Sequence, residues 1–299
     1  MRKRYVILKC KEVYAVEIQM EIIKFIQSIH NPVLDSFFLA LTSMGSEAFF
    51  FIVIPAIYWG KDKKAGLGLS VSVLLSMYIN VLLKEIIRIK RPTGYPGIRT
   101  LPRATAVGYS FPSGHAQSTA SLWGYLMGYF GRPWLYWTSM AAILLVSLSR
   151  LYLGVHWPAD VAGGAAIGLV VAYAGLAFTE RVNHLRLHNY PAKIAASVLI
   201  PTVLLILFPH HDNFKYMPML AGILIGFFTD EDFIGYQPKP NTFNKNILKY
   251  SIGIAIFLPL YFGLRAVLPY GDIGYAVRYF LSGLWLTLGA PWIFKKCNL

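Results

Sequence analysis

Residues 65–89 read Ala-Gly-Leu-Gly-Leu-Ser-Val-Ser-Val-Leu-Leu-Ser-Met-Tyr-Ile-Asn-Val-Leu-Leu-Lys-Glu-Ile-Ile-Arg-Ile, and no charge occurs before Lys84. A helix of about 20 apolar residues crosses the hydrocarbon of a bilayer, so this run predicts a transmembrane span. Comparable runs occupy about Leu34 or Glu47 to Trp59, then Gly114–Phe130, Trp134–Leu151, Pro158–Phe178, Ala192–Phe208, Tyr216–Phe228, Ile247–Leu268 and Tyr275–Phe294. That makes nine segments, or eight if the weaker Tyr216–Phe228 run only dips into the membrane. Across 299 residues, 56% are hydrophobic, 14% are charged and mean hydropathy is +0.51. Soluble domains carry about a quarter charged residues. The fold class is therefore all-α, a polytopic transmembrane helical bundle.

The formal net charge of +14 is distributed between apolar runs and not over one face. Basic loops beside anionic head groups account for it, and nucleic acid is not an expected partner. Cys10 and Cys297 lie near opposite ends without metal or redox spacing. Residues 1–19 are too charged for a signal peptide, through Glu12 and Glu17, and read as an interfacial extension or as residues upstream of a start at Met20. Between Glu21 and His30, the residues Ile22, Ile23, Phe25, Ile26 and Ile29 favour a helix lying in the membrane surface. Glu47, early in an apolar run, reads as a structural hydrogen-bonding group. Spacings such as Gly164 to Gly168 and Gly222 to Gly226 allow close helix packing.

Three polar clusters interrupt the apolar pattern. Lys84 and Arg91 are seven residues apart and point nearly the same way on a helix that Pro92 then stops. Alone, this is also what a lipid-facing basic flank looks like. Phe111-Pro-Ser-Gly-His115 opens a span, where free N–H groups and the helix dipole attract anions. Ser113 is equally readable as a simple N-cap. In Ser149–Asp160 (Ser-Arg-Leu-Tyr-Leu-Gly-Val-His-Trp-Pro-Ala-Asp), Arg150 and His156 flank Gly154, Pro158 suits a helix start, and Asp160 lies within reach of the imidazole. A structural ion pair would also explain it. In an antiparallel bundle the clusters share one membrane face, and together they make a site.

Such a site suits phosphoryl transfer. Lys84, Arg91 and Arg150, with Ser113 and the amides near Gly114, can neutralise phosphoryl oxygens. His156 can attack phosphorus while Asp160 orients its other ring nitrogen, and His115 can protonate the leaving group and later activate water. No carboxylate cluster offers a divalent ion a site, so the chemistry is expected to need neither metal nor cofactor.

Lys-(x)6-Arg-Pro at 84–92, Pro-Ser-Gly-His at 112–115 and Ser-Arg-(x)5-His-(x)3-Asp at 149–160 resemble the three-part signature of the type-2 phosphatidic acid phosphatase superfamily. The resemblance is clearest from Met20 to Phe178. It implies a six-helix phosphatase core over 20–180, a phosphohistidine intermediate, and lipid phosphates or diphosphates as substrates. It assigns the nucleophile to His156, its orienter to Asp160, the acid/base to His115, and phosphate binding to Lys84, Arg91, Ser113, Gly114 and Arg150. The soluble vanadium haloperoxidases are similar at this site, but the spans argue against that branch. Residues 181–299 go beyond the core as a C-terminal transmembrane extension of about three segments, and the larger size resembles the sphingosine-phosphate-phosphatase-like branch. The extension carries Arg265 and Arg278 near one loop and His210-His211-Asp212 in another, the latter read as a solvated loop.

Loops opposite the site carry Lys61, Lys63, Lys64, Arg132, Arg181, Arg186, Lys193, Lys239, Lys245, Lys249, Lys295 and Lys296. By the positive-inside rule this predicts an extracytoplasmic site in a bacterial-type cell membrane, with the basic N-terminal residues in disagreement. The leading function is a lipid phosphate or diphosphate phosphatase. A lipid phosphotransferase using the same intermediate needs the same pocket. A non-enzymatic lipid transporter would not require both histidines.

Overall fold

The computed structural model describes residues 16–101, 107–184, 189–238 and 243–299. Cys10, Arg186, Lys239 and most of the expected N-terminal extension lie outside them. Among the described residues the secondary structure is helical, without strands: α1 (16–27), α2 (Pro32–Ser43), α3 (Glu47–Gly60), α4 (Lys63–Ile87), α5 (Gly114–Phe130), α6 (Pro133–Tyr152), α7 (Pro158–His184), α8 (Tyr190–Leu207), α9 (Asn213–Thr229), α10 (Phe243–Val267), α11 (Asp272–Leu284) and α12 (Ala290–Lys296). Five of them, α4, α6, α7, α8 and α10, are long and apolar enough to cross a membrane, and α2 with α3 makes a sixth if counted as one broken span.

Every expected segment is helical; besides the broken pair α2–α3, three differ from simple spans. The Gly114–Phe130 and Tyr216–Phe228 runs form helices of 17 residues. The second is buried within its unit along most of its length. Tyr275–Phe294, expected as one helix, is divided by a π-helical turn at Trp285–Gly289.

Two compact units emerge from the packing. One comprises the residues up to Ser46 with Leu82–Val170, and the other Glu47–Val81 with Val171–Leu299. All three polar clusters lie in the first. There, α5 and α6 form a hairpin turned by Gly131, whose φ of 58° closes the C-terminus of α5. The Ser139 hydroxyl pins it by donating to Trp123 O at 3.1 Å. Gly164 and Gly168 of α7 lie against α5, where a Cβ would stand 2.7 Å from Ser113 O and 2.2 Å from Gln117 O. The small-residue spacing thus allows backbone-to-backbone packing.

The turn between α6 and α7 is held from outside by apolar packing. Leu153 and Val155 are buried with Phe38 and Tyr152, while Trp157 packs with Ile23 and Ile98. Gln27 of α1 donates to Arg99 O at 2.6 Å and to Tyr152 O at 2.8 Å, and accepts from Arg99 N at 3.0 Å. The α1 helix therefore starts earlier than expected and has two apolar sides. Ile23 faces inward with no exposure, whereas Phe25 is 79% exposed.

Gly154 has φ +67°, and a Cβ there would meet Arg99 O at 2.2 Å. Alanine would meet both left-handed strain and a backbone clash. Gly154→Ala should destabilise the first unit by about 2–4 kcal/mol, read as a lower thermal midpoint in detergent. An unchanged midpoint would show that the Arg99 strand moves aside freely.

In the second unit, α9 packs on α8 and α11. Gly222 and Gly226 of α9 face Phe280 O and the Thr287 hydroxyl of the neighbouring segment, each 2.2 Å from a would-be Cβ. Glu47 takes the structural role expected of it, accepting from the Tyr216 and Tyr279 hydroxyls at 3.0 and 3.2 Å. Lys63, counted among the loop charges, is instead buried in ion pairs with Asp230 and Glu231 at 2.9 and 2.5 Å.

Candidate active site

The site residues come from four helix ends. Lys84 is in the last turn of α4, and Arg91 follows in the connecting loop. Ser113 occupies the position before α5, which begins at Gly114 and His115. Arg150 is in the last turn of α6, His156 is in the turn after it, and Asp160 is in the first turn of α7. Ser113 N donates to Asp160 O at 3.0 Å, which ties the second cluster to the third through the backbone.

His156 is 2% exposed and Asp160 1%. Burial, followed by the charges of Arg91, Arg150, Lys84 and His115, pushes the His156 imidazole well below its ordinary range. All four basic residues from the three clusters thus act on one ring. At neutral pH that ring is uncharged, which preserves a lone pair for nucleophilic attack.

Arg91 identifies which nitrogen carries the lone pair. Its Nη1 lies 3.0 Å from His156 Nε2 and donates to Val155 O at 2.8 Å. A guanidinium has only donors, so Nε2 must accept and Nδ1 carries the proton. Arg91 also donates from Nε to Gly108 O at 3.0 Å and from Nη2 to Val107 O at 2.9 Å. Expected as a phosphate clamp, it commits four of its five N–H groups to the loop and to His156. Burial lowers its affinity for the proton, and the charge of Asp160 opposes that effect.

The contact between His156 and Asp160 is less direct than the spacing suggests. Nδ1 and Oδ2 stand 3.5 Å apart. Ser110 lies beside both, with its hydroxyl donating to Asp160 Oδ2 and lying 3.4 Å from His156 Nδ1. Trp157 N donates to the same carboxylate oxygen at 2.7 Å. Sequence reasoning missed Ser110, which belongs to none of the three motifs. It also missed Thr42, which accepts from Arg150 Nη1 at 2.6 Å. Neither has a local signature, since each is brought in by a partner far along the chain.

Ser113 carries no capping hydrogen bond, and its buried hydroxyl has no partner among the described residues. A buried hydroxyl without a partner is costly, and an anion at the α5 N-terminus would satisfy it. Among the described residues no group of three His, Cys, Asp or Glu side chains could hold a metal ion. The arrangement therefore offers one uncharged imidazole, a second histidine, three cations and an orphan hydroxyl. That is the equipment for handling a phosphoryl group.

Comparison with known proteins bears on the same residues. The PAP2 superfamily model matches residues 65–183, and the model described as "PAP2 superfamily phosphatase, transmembrane extension" matches 214–299. Lipid phosphate phosphatase delta of Arabidopsis thaliana is 27% identical over 173 residues, 53% of this chain and 41% of the relative. Human sphingosine-1-phosphate phosphatase 2 is 27% identical over 208 residues, 64% of this chain and 51% of the relative. The chain thus spans about half or less of the length of these curated relatives. The crystal structure of a transmembrane PAP2-type phosphatidylglycerolphosphate phosphatase from Bacillus subtilis shares the fold, with a TM-score of 0.51 at 24% identity over 58% of this chain and 90% of that one.

Proposed function

Because the chain belongs to the PAP2 superfamily, carrying both its domain and its transmembrane extension, we propose that it removes phosphate from a membrane lipid phosphate or diphosphate through His156. The observation that carries this reading is the Arg91–His156 contact, which leaves Nε2 as the basic nitrogen of a neutral, buried ring.

In the first step Arg91 Nη1 releases Nε2 for the bound phosphate, Nε2 attacks phosphorus in line, a P–N bond forms, and the P–O bond to the lipid breaks. His115, protonated once the anionic lipid phosphate is bound beside it, delivers that proton to the departing oxygen. The Nδ1 proton stays on the ring, stabilised by Asp160 and Ser110. In the second step His115 takes a proton from water, the oxygen attacks phosphorus, and the P–N bond breaks to release inorganic phosphate. Lys84, Arg150, the remaining N–H of Arg91, the Ser113 hydroxyl and the first amides of α5 hold the phosphoryl oxygens throughout. With these groups carrying the charge, neither step calls for a metal ion. The site faces the extracytoplasmic side, an orientation supported by the basic residues Lys61, Lys64, Arg132 and Lys295 in the opposing connections.

The test is to incubate purified protein with EDTA and radiolabelled phosphatidate, prenyl diphosphate or sphingoid phosphate, and quench it in alkali. Phosphate release should continue, and an acid-labile, alkali-stable phosphoenzyme should be trapped. Dependence of turnover on an added divalent ion would defeat the mechanism. Failure to release phosphate from any lipid would defeat the function.

A further inference from the structure

The extension unit contains a polar cluster that shares no residue with the proposed active site. It brings together the two loops that the sequence left unconnected. His211 Nδ1 lies 2.6 Å from Asp272 Oδ1, joining the α8–α9 connection to the start of α11. The cluster centres on the Tyr275 ring. His211 packs edge-on against it at 4.9 Å, the Lys215 ammonium lies 5.2 Å from its centroid, and the Arg278 guanidinium lies 5.0 Å from it.

Two of these three basic groups have carboxylate partners. His211 has Asp272, and Lys215 has Asp212 at 2.7 Å. Glu47, the carboxylate hydrogen-bonded to Tyr279, is held by the Tyr216 and Tyr279 hydroxyls. Arg278 is 7% exposed and stacks on Tyr261, Tyr275 and Tyr279 at 4.7, 5.0 and 5.4 Å. It forms no ion pair and its buried Nε has no hydrogen-bond partner among the described residues. Aromatic faces attract the charge of a guanidinium but do not accept its five in-plane N–H groups. A buried donor left unmatched is expensive, and more so when charged. Three tyrosines therefore fix the plane of a fork whose acceptor comes from elsewhere.

We infer that Arg278 anchors a second anion-binding site, which takes the phosphate of an acidic phospholipid head group. Phosphate matches a guanidinium fork in charge and geometry. Val267, Tyr270, Ile273 and Val277 surround this end of α10 and α11 with exposed apolar side chains, at 85%, 91%, 73% and 38%. Such a surface faces lipid, so an anion that reaches Arg278 is carried by a head group. The site would tie the extension to acidic lipid whether or not the catalytic reading holds.

The test is binding, independent of turnover. Full-length protein, wild type and Arg278→Gln, is placed in phosphatidylcholine nanodiscs with increasing phosphatidylglycerol, and retained lipid is counted by native mass spectrometry. Wild type should hold one more phosphatidylglycerol than the variant, with affinity about tenfold higher at that site. Equal retention overturns the proposal. A parallel titration with inorganic phosphate separates the two sources: if it displaces the lipid at low concentration through Arg278, the lipid assignment fails. Should Arg278→Gln not fold, Arg278→Lys keeps the charge and loses the fork. Its binding should drop severalfold, and unchanged binding again overturns the proposal.

Discussion

Replacing His156 with alanine is expected to lower lipid phosphate release by about 10⁴-fold or more while leaving the protein folded and substrate affinity within a few fold of wild type. The side chain is buried and uncharged, so its removal breaks no ion pair and leaves a small polar cavity with one Arg91 N–H short of an acceptor. The cations and the α5 N-terminus would still hold the lipid phosphate. A matched His115→Ala variant separates the two histidines. Its loss should shrink when the lipid is replaced by a phosphate ester with an acidic leaving group, because such a group departs without a proton. His156→Ala should stay inactive on both. Rates are read by released phosphate, and folding by elution profile and thermal midpoint. Substantial turnover in folded His156→Ala would remove the nucleophile from the mechanism.

Much of this site is legible in the chain because its parts lie at helix ends, where polar residues break an apolar pattern. Ser113, His115, Arg150, His156 and Asp160 stand out for that reason, and the structure places all of them in one unit. What is not legible is the partner of each. Thr42 is an unremarkable hydroxyl until α2 packs on α6 and sets it against Arg150. Ser110 lies in a Pro- and Gly-rich loop with no periodicity, and only tertiary folding brings it to Asp160. Gln27, in a stretch that reads as a surface helix, turns its amide inward to hold the backbone of both Arg99 and Tyr152. Helix number and type follow from local pattern, whereas hydrogen bonds between distant residues have no local signal.

The extension illustrates the same division. Its apolar runs predict helices correctly, but a π-helical turn in α11–α12 cannot be read from hydropathy. Nor can the meeting of His211 with Asp272. Arg278 looks from the sequence like one more basic residue near a loop. Only its neighbours reveal that, among the described residues, the other charges around Tyr275 are paired and that it is not.

Arg91→Lys is expected to lower kcat by about 10²-fold and stability by about 2–4 kcal/mol, although it conserves charge. Arg91 performs three tasks from one planar group. Its Nε and Nη2 hold Gly108 O and Val107 O, fixing the loop that carries Ser110. Its Nη1 holds Val155 O and, through Nε2, the His156 tautomer. A lysine ammonium is a single point and cannot hold Val107 O, Gly108 O and Val155 O together with His156. With the loop loosened, Ser110 drifts from Asp160, and Nδ1 loses the neighbours that keep its proton in place. The tautomer with hydrogen on Nε2 then becomes accessible, and that form cannot attack phosphorus. The fall should therefore be mainly in kcat, with a smaller rise in KM from the remaining N–H lost to phosphate. A rise confined to KM would mean that Arg91 only binds phosphate, and that the contact with His156 does not set its reactive nitrogen.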